Sequence, residues 1–111
     1  MERHLDITIE MLNEHFSYSD GILYWKKPTK NSPIKAGKKA GRLVKDGYLQ
    51  TCFKRKRLLN HQIIFKMFHG FIPNEIDHID RNVLNNNIEN LRQCTRAENI
   101  ANRRTWAKTK D

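Results

Sequence analysis

The chain has 111 residues, a length that is typical of a single domain with a modest core. Its 21 Lys and Arg outnumber its 12 Asp and Glu, and the net charge of +9 favours a polyanionic partner, because a protein that neutralises phosphates releases counterions. Cys52 and Cys94 stand far apart with no CxxC pair, which argues against a structural zinc site. No apolar run reaches the roughly 20 residues that span a bilayer, and the N-terminus lacks a signal-peptide core. We therefore expect a cytoplasmic protein without a membrane contact.

The first half of the chain predicts one helix and two hairpins. Apolar residues recur at helical spacing over residues 5–16, and the turn pair Asp20-Gly21 separates two β-favouring runs. Residues 26–39 contain prolines, a glycine and lysines, which is typical of an exposed loop. A second hairpin turns at Lys45-Asp46-Gly47, and Lys54-Arg55-Lys56 follows as a basic tip. The charge density of this tip favours contact with phosphate, although a solvated turn would have the same composition.

The second half predicts the order helix, strand, strand, helix. Asn60 is the expected N-cap of a helix that ends at Gly70. A short strand over residues 75–79 leads into a polar loop, and a second strand follows near residues 91–94. The last helix has a clear start, because Thr95-Arg96-Ala97-Glu98 fits a capping box.

Residues suited to metal-assisted hydrolysis lie in this second half. Asp77 offers a carboxylate and Asn99, one turn into the last helix, offers a carbonyl oxygen. Such hard ligands suit Mg²⁺, with Mn²⁺ as the alternative, and two protein ligands leave positions for water and phosphate. His78 is the nearby group whose neutral form can take a proton from water near pH 7. Adjacent strand residues point to opposite faces, so Asp77 and His78 can serve one phosphate only if the strand bends or ends there. Asn90, on the second strand, is the expected partner that fixes the imidazole tautomer.

These segments, taken together, resemble a known family. They are Ile76-Asp77-His78-Ile79-Asp80, residues 84–92 and residues 95–102. The three resemble the HNH nuclease family, specifically its phage homing-endonuclease branch, and residues 18–25 and 60–65 are similar to that branch as well. The resemblance implies an α+β fold in which an N-terminal helix and a small antiparallel sheet precede a ββα-metal core.

The resemblance also implies roles for single residues. Asp77 and Asn99 match the metal ligands, His78 the general base and Asn90 the asparagine that positions it. Asn99 stands where many members have a histidine, which disfavours a preference for zinc. We expect one domain, with residues 1–57 as helix and basic sheet, residues 58–104 as helix and catalytic core, and a tail over residues 105–111.

The function implied by the resemblance is metal-dependent hydrolysis of phosphodiester bonds in double-stranded DNA, in the host-cell cytoplasm if the gene is carried by a phage. Arg92, Arg103 and Arg104 are candidates for holding the scissile strand. Two alternatives stay open: a catalytically silent DNA-binding module, and a nuclease with the same site that selects branched DNA. The sequence does not decide between a monomer that nicks and a homodimer that breaks both strands.

Overall fold

Three small antiparallel sheets and two helices make up the described part of the computed structural model, which comprises residues 7–28, 34–95 and 97–98. The elements in chain order are α1 (Ile9–His15), β1 (Phe16–Ser19), β2 (Ile22–Trp25), β3 (Arg42–Leu43), β4 (Leu49–Phe53), β5 (Lys56–Leu59), α2 (Asn60–His69), β6 (Ile76–His78), a 3-10 turn (Ile88–Asn90) and β7 (Leu91–Gln93). Strand β1 pairs with β2, β3-β4-β5 form the second sheet, and β6 pairs with β7. The expected α+β class is confirmed. Within the described ranges, no helix has the length and apolar character needed to cross a membrane.

The N-terminal helix is shorter than predicted, while the first hairpin matches the prediction. Thr8 caps α1, because its Oγ1 accepts the Met11 N–H at 3.2 Å, so the helix begins at Ile9. The hairpin turns at Asp20-Gly21, where both residues have positive φ, 49° and 83°. Such a turn matches the twist of the flanking strands, and Asp-Gly adopts it readily.

The basic tip is the turn of a hairpin that the sequence did not predict. Residues 56–59 were not predicted to be a strand, yet β5 pairs with β4 in the register Phe53↔Lys56 to Gln50↔Leu59. The turn between them consists of Lys54 and Arg55, with φ of 51° and 65°. Asparagine and glycine usually occupy such positions, so the pattern contained no turn signal.

Helix α2 has the predicted bounds, but Asn60 does not cap it. The helix ends at Gly70, whose left-handed φ of 88° lets its N–H donate to the Lys66 carbonyl at 2.7 Å. Leu59 occupies the cap position, whereas the buried Asn60 side chain donates to the Ala40 carbonyl at 3.1 Å and accepts the Thr51 hydroxyl at 2.6 Å. A buried carboxamide must find such partners, because leaving it unpaired would cost about 1–3 kcal/mol. Asn60 therefore ties α2 to the second sheet.

Helix α2 is central to the core and links the sheets to the polar loop after β6. Its Ile63 and Ile64 are completely buried, and the helix packs against α1, β4, β5 and the 3-10 turn. The first hairpin touches the polar loop directly, since the Tyr18 hydroxyl accepts the Ile88 N–H at 2.9 Å. A Cβ at Gly21 would lie 2.6 Å from the backbone nitrogen of Asn87, so only glycine fits this approach. The loop is thus held from two sides.

Candidate active site

Asp77 and His78 lie at the end of β6, in the two-stranded sheet with β7. The register places Asp77 opposite Arg92 and His78 opposite Leu91. The strand ends at His78, whose carbonyl accepts the Arg81 N–H at 2.8 Å. We expected Asp77 and His78 to serve one phosphate only if the strand bends or ends there, and it ends at His78. Both are buried, with 2% of Asp77 and 4% of His78 exposed.

The imidazole of His78 is held by the side chain of Asn86. Asn86 Oδ1 lies 2.9 Å from His78 Nε2. Because a carboxamide oxygen can only accept, Nε2 carries the hydrogen and Nδ1 keeps its lone pair. Nδ1 is therefore the ring nitrogen that can take up a proton.

Two further rings pack around this imidazole. His61 from α2 meets His78 edge to face, with ring centroids 4.8 Å apart, and Tyr48 lies 6.2 Å from His78 and 5.4 Å from His61. Like His78, His61 is buried. The structure therefore places His61 against the candidate base.

Burial keeps both imidazoles in their neutral form. It lowers the pKa of His78, and this effect exceeds the opposing ones of the Asn86 hydrogen bond and of the Asp80 and Asp77 charges. The pKa of His61 falls to about 3, through burial first and the charge of His78 second. A neutral imidazole is the form that accepts a proton, so His78 is suited to act as a base at neutral pH.

Asn86 is a site residue that the sequence did not identify. Asparagines in a loop usually bond to their own backbone, and the outer two of Asn85-Asn86-Asn87 do so: Asn85 Oδ1 accepts the Asn87 N–H, and Asn87 Oδ1 accepts the Glu89 N–H. Asn86 differs because its side chain turns inward and is only 2% exposed. The sequence offered one signal for this role: a single turn does not need three consecutive asparagines.

Asn90 braces the polar loop. Among the described residues, its side chain forms no hydrogen bond with the His78 imidazole. Its Oδ1 accepts the Asp80 N–H at 2.9 Å, and its Nδ2 donates to Asp80 Oδ1 and to the Asn85 carbonyl, both at 2.8 Å. We expected Asn90 to fix the tautomer of His78, and in the structure Asn86 holds the ring nitrogen instead. Asn90 closes the loop that carries Asn86, so its effect on His78 is indirect.

Asp80 organises the same loop. Its carboxylate accepts the Asn82 N–H at 2.8 Å and the Asn85 amide at 2.7 Å. The hydrogen bond from Asn85 is the main reason why the pKa of Asp80 is lowered, and the bonds from Asn82 and Asn90 add to it. An ionised Asp80 therefore stabilises the loop at neutral pH.

Asp77 forms an ion pair with Arg92 across the two strands. Arg92 Nη2 donates to Asp77 Oδ2 at 2.6 Å, with the guanidinium 52% exposed and the carboxylate 2% exposed. Arg92, predicted to contact DNA, here contacts the candidate metal ligand. A carboxylate oxygen is a hard donor of the kind that magnesium prefers.

Three predicted site residues are not described by the structure. Asn99, Arg103 and Arg104 lie outside the described residues. Among residues 7–28, 34–95 and 97–98, no group of three or more His, Cys, Asp or Glu side chains is arranged to hold a metal ion. The predicted capping box is confirmed, because Glu98 Oε1 accepts the Thr95 N–H at 2.8 Å and Thr95 Oγ1 accepts the Glu98 N–H at 3.1 Å.

Comparison with known proteins gives one match. Residues 59–101, from the last residue of β5 through β7 and beyond, match a family model described as an HNH endonuclease. This segment contains His78, Asn86, Asn90 and the Asp77–Arg92 pair, and the match supports a relationship to the HNH family. No curated protein and no solved structure gave a significant match to the chain.

Proposed function

We propose that this protein is a metal-dependent DNA endonuclease of the HNH type. The observation that carries the proposal is the buried, neutral His78, whose Nε2 donates to Asn86 and whose Nδ1 keeps its lone pair, within the segment that matches the HNH model. A fixed neutral imidazole is what activation of a water molecule for attack on phosphorus requires. The phage homing type of enzyme is part of the proposal and rests on the sequence resemblance.

Each residue around His78 has a separate task in this proposal. His78 Nδ1 takes a proton from the attacking water. Asn86 holds the ring by accepting from Nε2–H, and Asn90 holds the loop that carries Asn86 through its bonds to Asp80. General-base help of this kind typically speeds a reaction about 10²–10⁴-fold.

Asp77 and Asn99 would hold the metal ion, Mg²⁺ in this proposal with Mn²⁺ as the alternative, because both ligands are hard oxygens that suit these two ions. When bound, such an ion supplies a Lewis acid that neutralises charge developing on the phosphate. In this proposal Asp77 releases Arg92 when it binds the metal ion. The half-exposed guanidinium of Arg92 can then turn toward a substrate phosphate, to which it binds as well as it does to a carboxylate.

Double-stranded DNA is the substrate in this proposal. Lys54, Arg55 and Lys56 at the β4–β5 turn, together with Arg92, Arg103 and Arg104, would contact its backbone. One site cuts one strand, so a monomer would leave nicks and a homodimer would produce linear molecules. Comparing the nicked and linear products of a plasmid over a range of protein concentrations separates the two outcomes.

The experiment that tests the proposal is an incubation of supercoiled plasmid with Mg²⁺, Mn²⁺, Zn²⁺ or EDTA. We expect cleavage with Mg²⁺ and Mn²⁺, little with Zn²⁺, and none with EDTA. The products should carry 5′-phosphate and 3′-hydroxyl ends. Cleavage that continues unchanged in EDTA would contradict the metal dependence. Faster cutting of a four-way junction than of a linear duplex with the same sequence would identify branched DNA as the substrate.

One observation favours a second candidate, a DNA-binding module without catalysis. The ion pair between Asp77 and Arg92 satisfies the carboxylate that a metal would need. If that pair persists on DNA and keeps a metal ion away from Asp77, the protein binds without cutting. This candidate predicts salt-sensitive binding and no metal-dependent product with any of the three ions.

A further inference from the structure

The positive charge of the chain is concentrated in one segment. Residues 34–59 contain nine Lys and Arg but only one acidic residue, Asp46, and so carry +8 of the total of +9. The segment spans β3, β4 and β5, the three strands of the second sheet. The remainder of the sequence is nearly neutral, so this sheet dominates the electrostatic attraction for a polyanion.

The two faces of this sheet differ in character. Thr51, Phe53 and Leu58 are buried on the face that packs against α2. Successive side chains alternate along a strand, so Gln50 and Cys52 point to the opposite face, together with their cross-strand partners Arg42 and Arg57. Both arginines are exposed. This outer face is therefore polar and cationic.

A cavity of about 320 Å³ opens on this outer face. No acidic residue is among the described residues that line it. Four of its lining residues are cations, and they come from β3, β5 and the segment before β3: Lys38, Lys39, Arg42 and Arg57. None of these four forms an ion pair with another residue in the described part of the chain.

The backbone beneath the two lysines is fixed against the first hairpin. The Trp25 N–H donates to the Lys38 carbonyl at 2.8 Å, Lys39 forms a bridge with Tyr24, and the Ala40 N–H donates to the Leu23 carbonyl at 2.8 Å. The lysines are thus presented beside the sheet by a held segment. Four cations on a fixed frame without acidic neighbours would repel one another, and an anion between them relieves that repulsion.

We propose that this cationic groove, formed by Lys38, Lys39, Arg42 and Arg57, binds the phosphate backbone of duplex DNA as a contact separate from the cleavage residues. The inference rests on the proposed function for its choice of DNA as the polyanion. Arginine pairs with phosphate through two parallel hydrogen bonds. Arg42 and Arg57 lie on the two outer strands of the sheet, with β4 between them, so each can bind a separate phosphate of the DNA. Because the groove would contact only the phosphate backbone of the DNA and not its bases, it adds affinity without sequence preference.

The test compares two double variants of the full chain that lose the same charge. Arg42→Gln/Arg57→Gln removes the arginines of the groove, whereas Lys35→Gln/Lys45→Gln removes two exposed lysines of the same segment that do not line it. Binding to a labelled 25-base-pair duplex is measured in EDTA over a range of salt. All four side chains are exposed, and a circular dichroism melt checks that each variant is folded.

We expect the groove variant to bind at least about tenfold more weakly at 0.1 M salt and to lose about two units from the slope of log K against log salt, one for each lost phosphate contact. The lysine variant should change the affinity by less than about threefold. Equal weakening of both variants, or no weakening of either, would overturn the proposal. Tighter binding of a duplex RNA of the same length through the same arginines would assign the groove to RNA, and the DNA proposal would fail.

The binding assay contains no metal, so its result does not depend on cleavage. If the plasmid is cut but the groove variant binds normally, the groove proposal fails and the nuclease proposal stands. If no plasmid is cut but the groove variant binds weakly, the protein is the silent DNA-binding module and the groove is still its DNA contact.

Discussion

Replacing Asn86 with alanine removes the hydrogen bond that holds His78. The Asn86 Oδ1 to His78 Nε2 distance is 2.9 Å, and both side chains are almost fully buried. In Asn86→Ala the Nε2–H loses its acceptor, and the ring is free to rotate or to move its hydrogen to Nδ1. Either change removes the lone pair from the position at which, in the proposed mechanism, it takes a proton from water.

The size of the effect follows from the burial of both partners. A neutral hydrogen bond contributes about 1 kcal/mol, but a buried donor left without an acceptor costs about 1–3 kcal/mol. Because Asn86 is 2% exposed, water does not readily replace it, and we expect a loss of about 2–3 kcal/mol in the free energy of unfolding. Removing an outer-shell partner of a metal ligand typically changes activity about 10- to 100-fold, and we expect cleavage to slow by a similar factor when His78 loses its partner.

The matched control is Asn85→Ala. Asn85 is the same residue type at the adjacent position, and its amide donates to Asp80 on the exposed side of the loop at 2.7 Å. We expect it to cost about 1 kcal/mol and to slow plasmid nicking less than threefold. Rates are compared in Mg²⁺ below the melting range of both variants, and ¹⁵N NMR of the His78 ring reports its tautomer.

A folded Asn86→Ala variant that nicks plasmid at the wild-type rate would refute this reasoning. A His78 ring with the hydrogen still on Nε2 would do the same, because the carboxamide would then not determine the tautomer. We predict that Asn86→Ala loses both stability and cleavage rate, and that Asn85→Ala loses much less of either.

Three further predictions concern stability, the basic tip and the metal. The pKa of His61 is about 3 in the fold and 6.5 in the unfolded chain, so the unfolded chain gains a proton first as pH falls. From pH 7 to pH 5 the free energy of unfolding should therefore drop by about 2 kcal/mol. Urea titrations of His61→Leu should show a smaller dependence of this free energy on pH. Lys54→Asn/Arg55→Gly places residues that tolerate positive φ at these two positions, so it should stabilise the fold by about 1–2 kcal/mol. The same variant should bind DNA more weakly in gel shifts, and unchanged binding would exclude the tip as a contact. Asp77→Asn should reduce Mg²⁺-dependent cleavage by more than about 100-fold, and Asp80→Asn by much less.

Elements that depend on local signals were predictable from the sequence. Helix α2 has an apolar face and a glycine just beyond its end, and both bounds agree with the structure. The Asp20-Gly21 turn and the Thr95–Glu98 capping box were recognisable because the residues that make them act on their own neighbours. Strand β5 was missed since its turn, Lys54-Arg55, has residues that rarely adopt positive φ.

Contacts between distant residues were not predictable in the same way. Asn60 and Asn86 both look like residues that bond to their own backbone, yet one joins α2 to the second sheet and the other holds His78. A sequence does not show whether a carboxamide bonds to its own backbone in a turn or points inward to a buried partner, because the packing around the side chain decides between the two. The Asp77–His78 pattern located the candidate site, but the partner that holds the imidazole became visible only in the structure.

The most direct test of His78 as the base is the nicking rate of His78→Ala beside the wild-type protein in the same Mg²⁺ buffer, with duplex binding measured in parallel. We predict a rate about 10²–10⁴-fold lower and a dissociation constant within threefold of the wild type. A His78→Ala protein that nicks as fast as the wild type would show that another group activates the water.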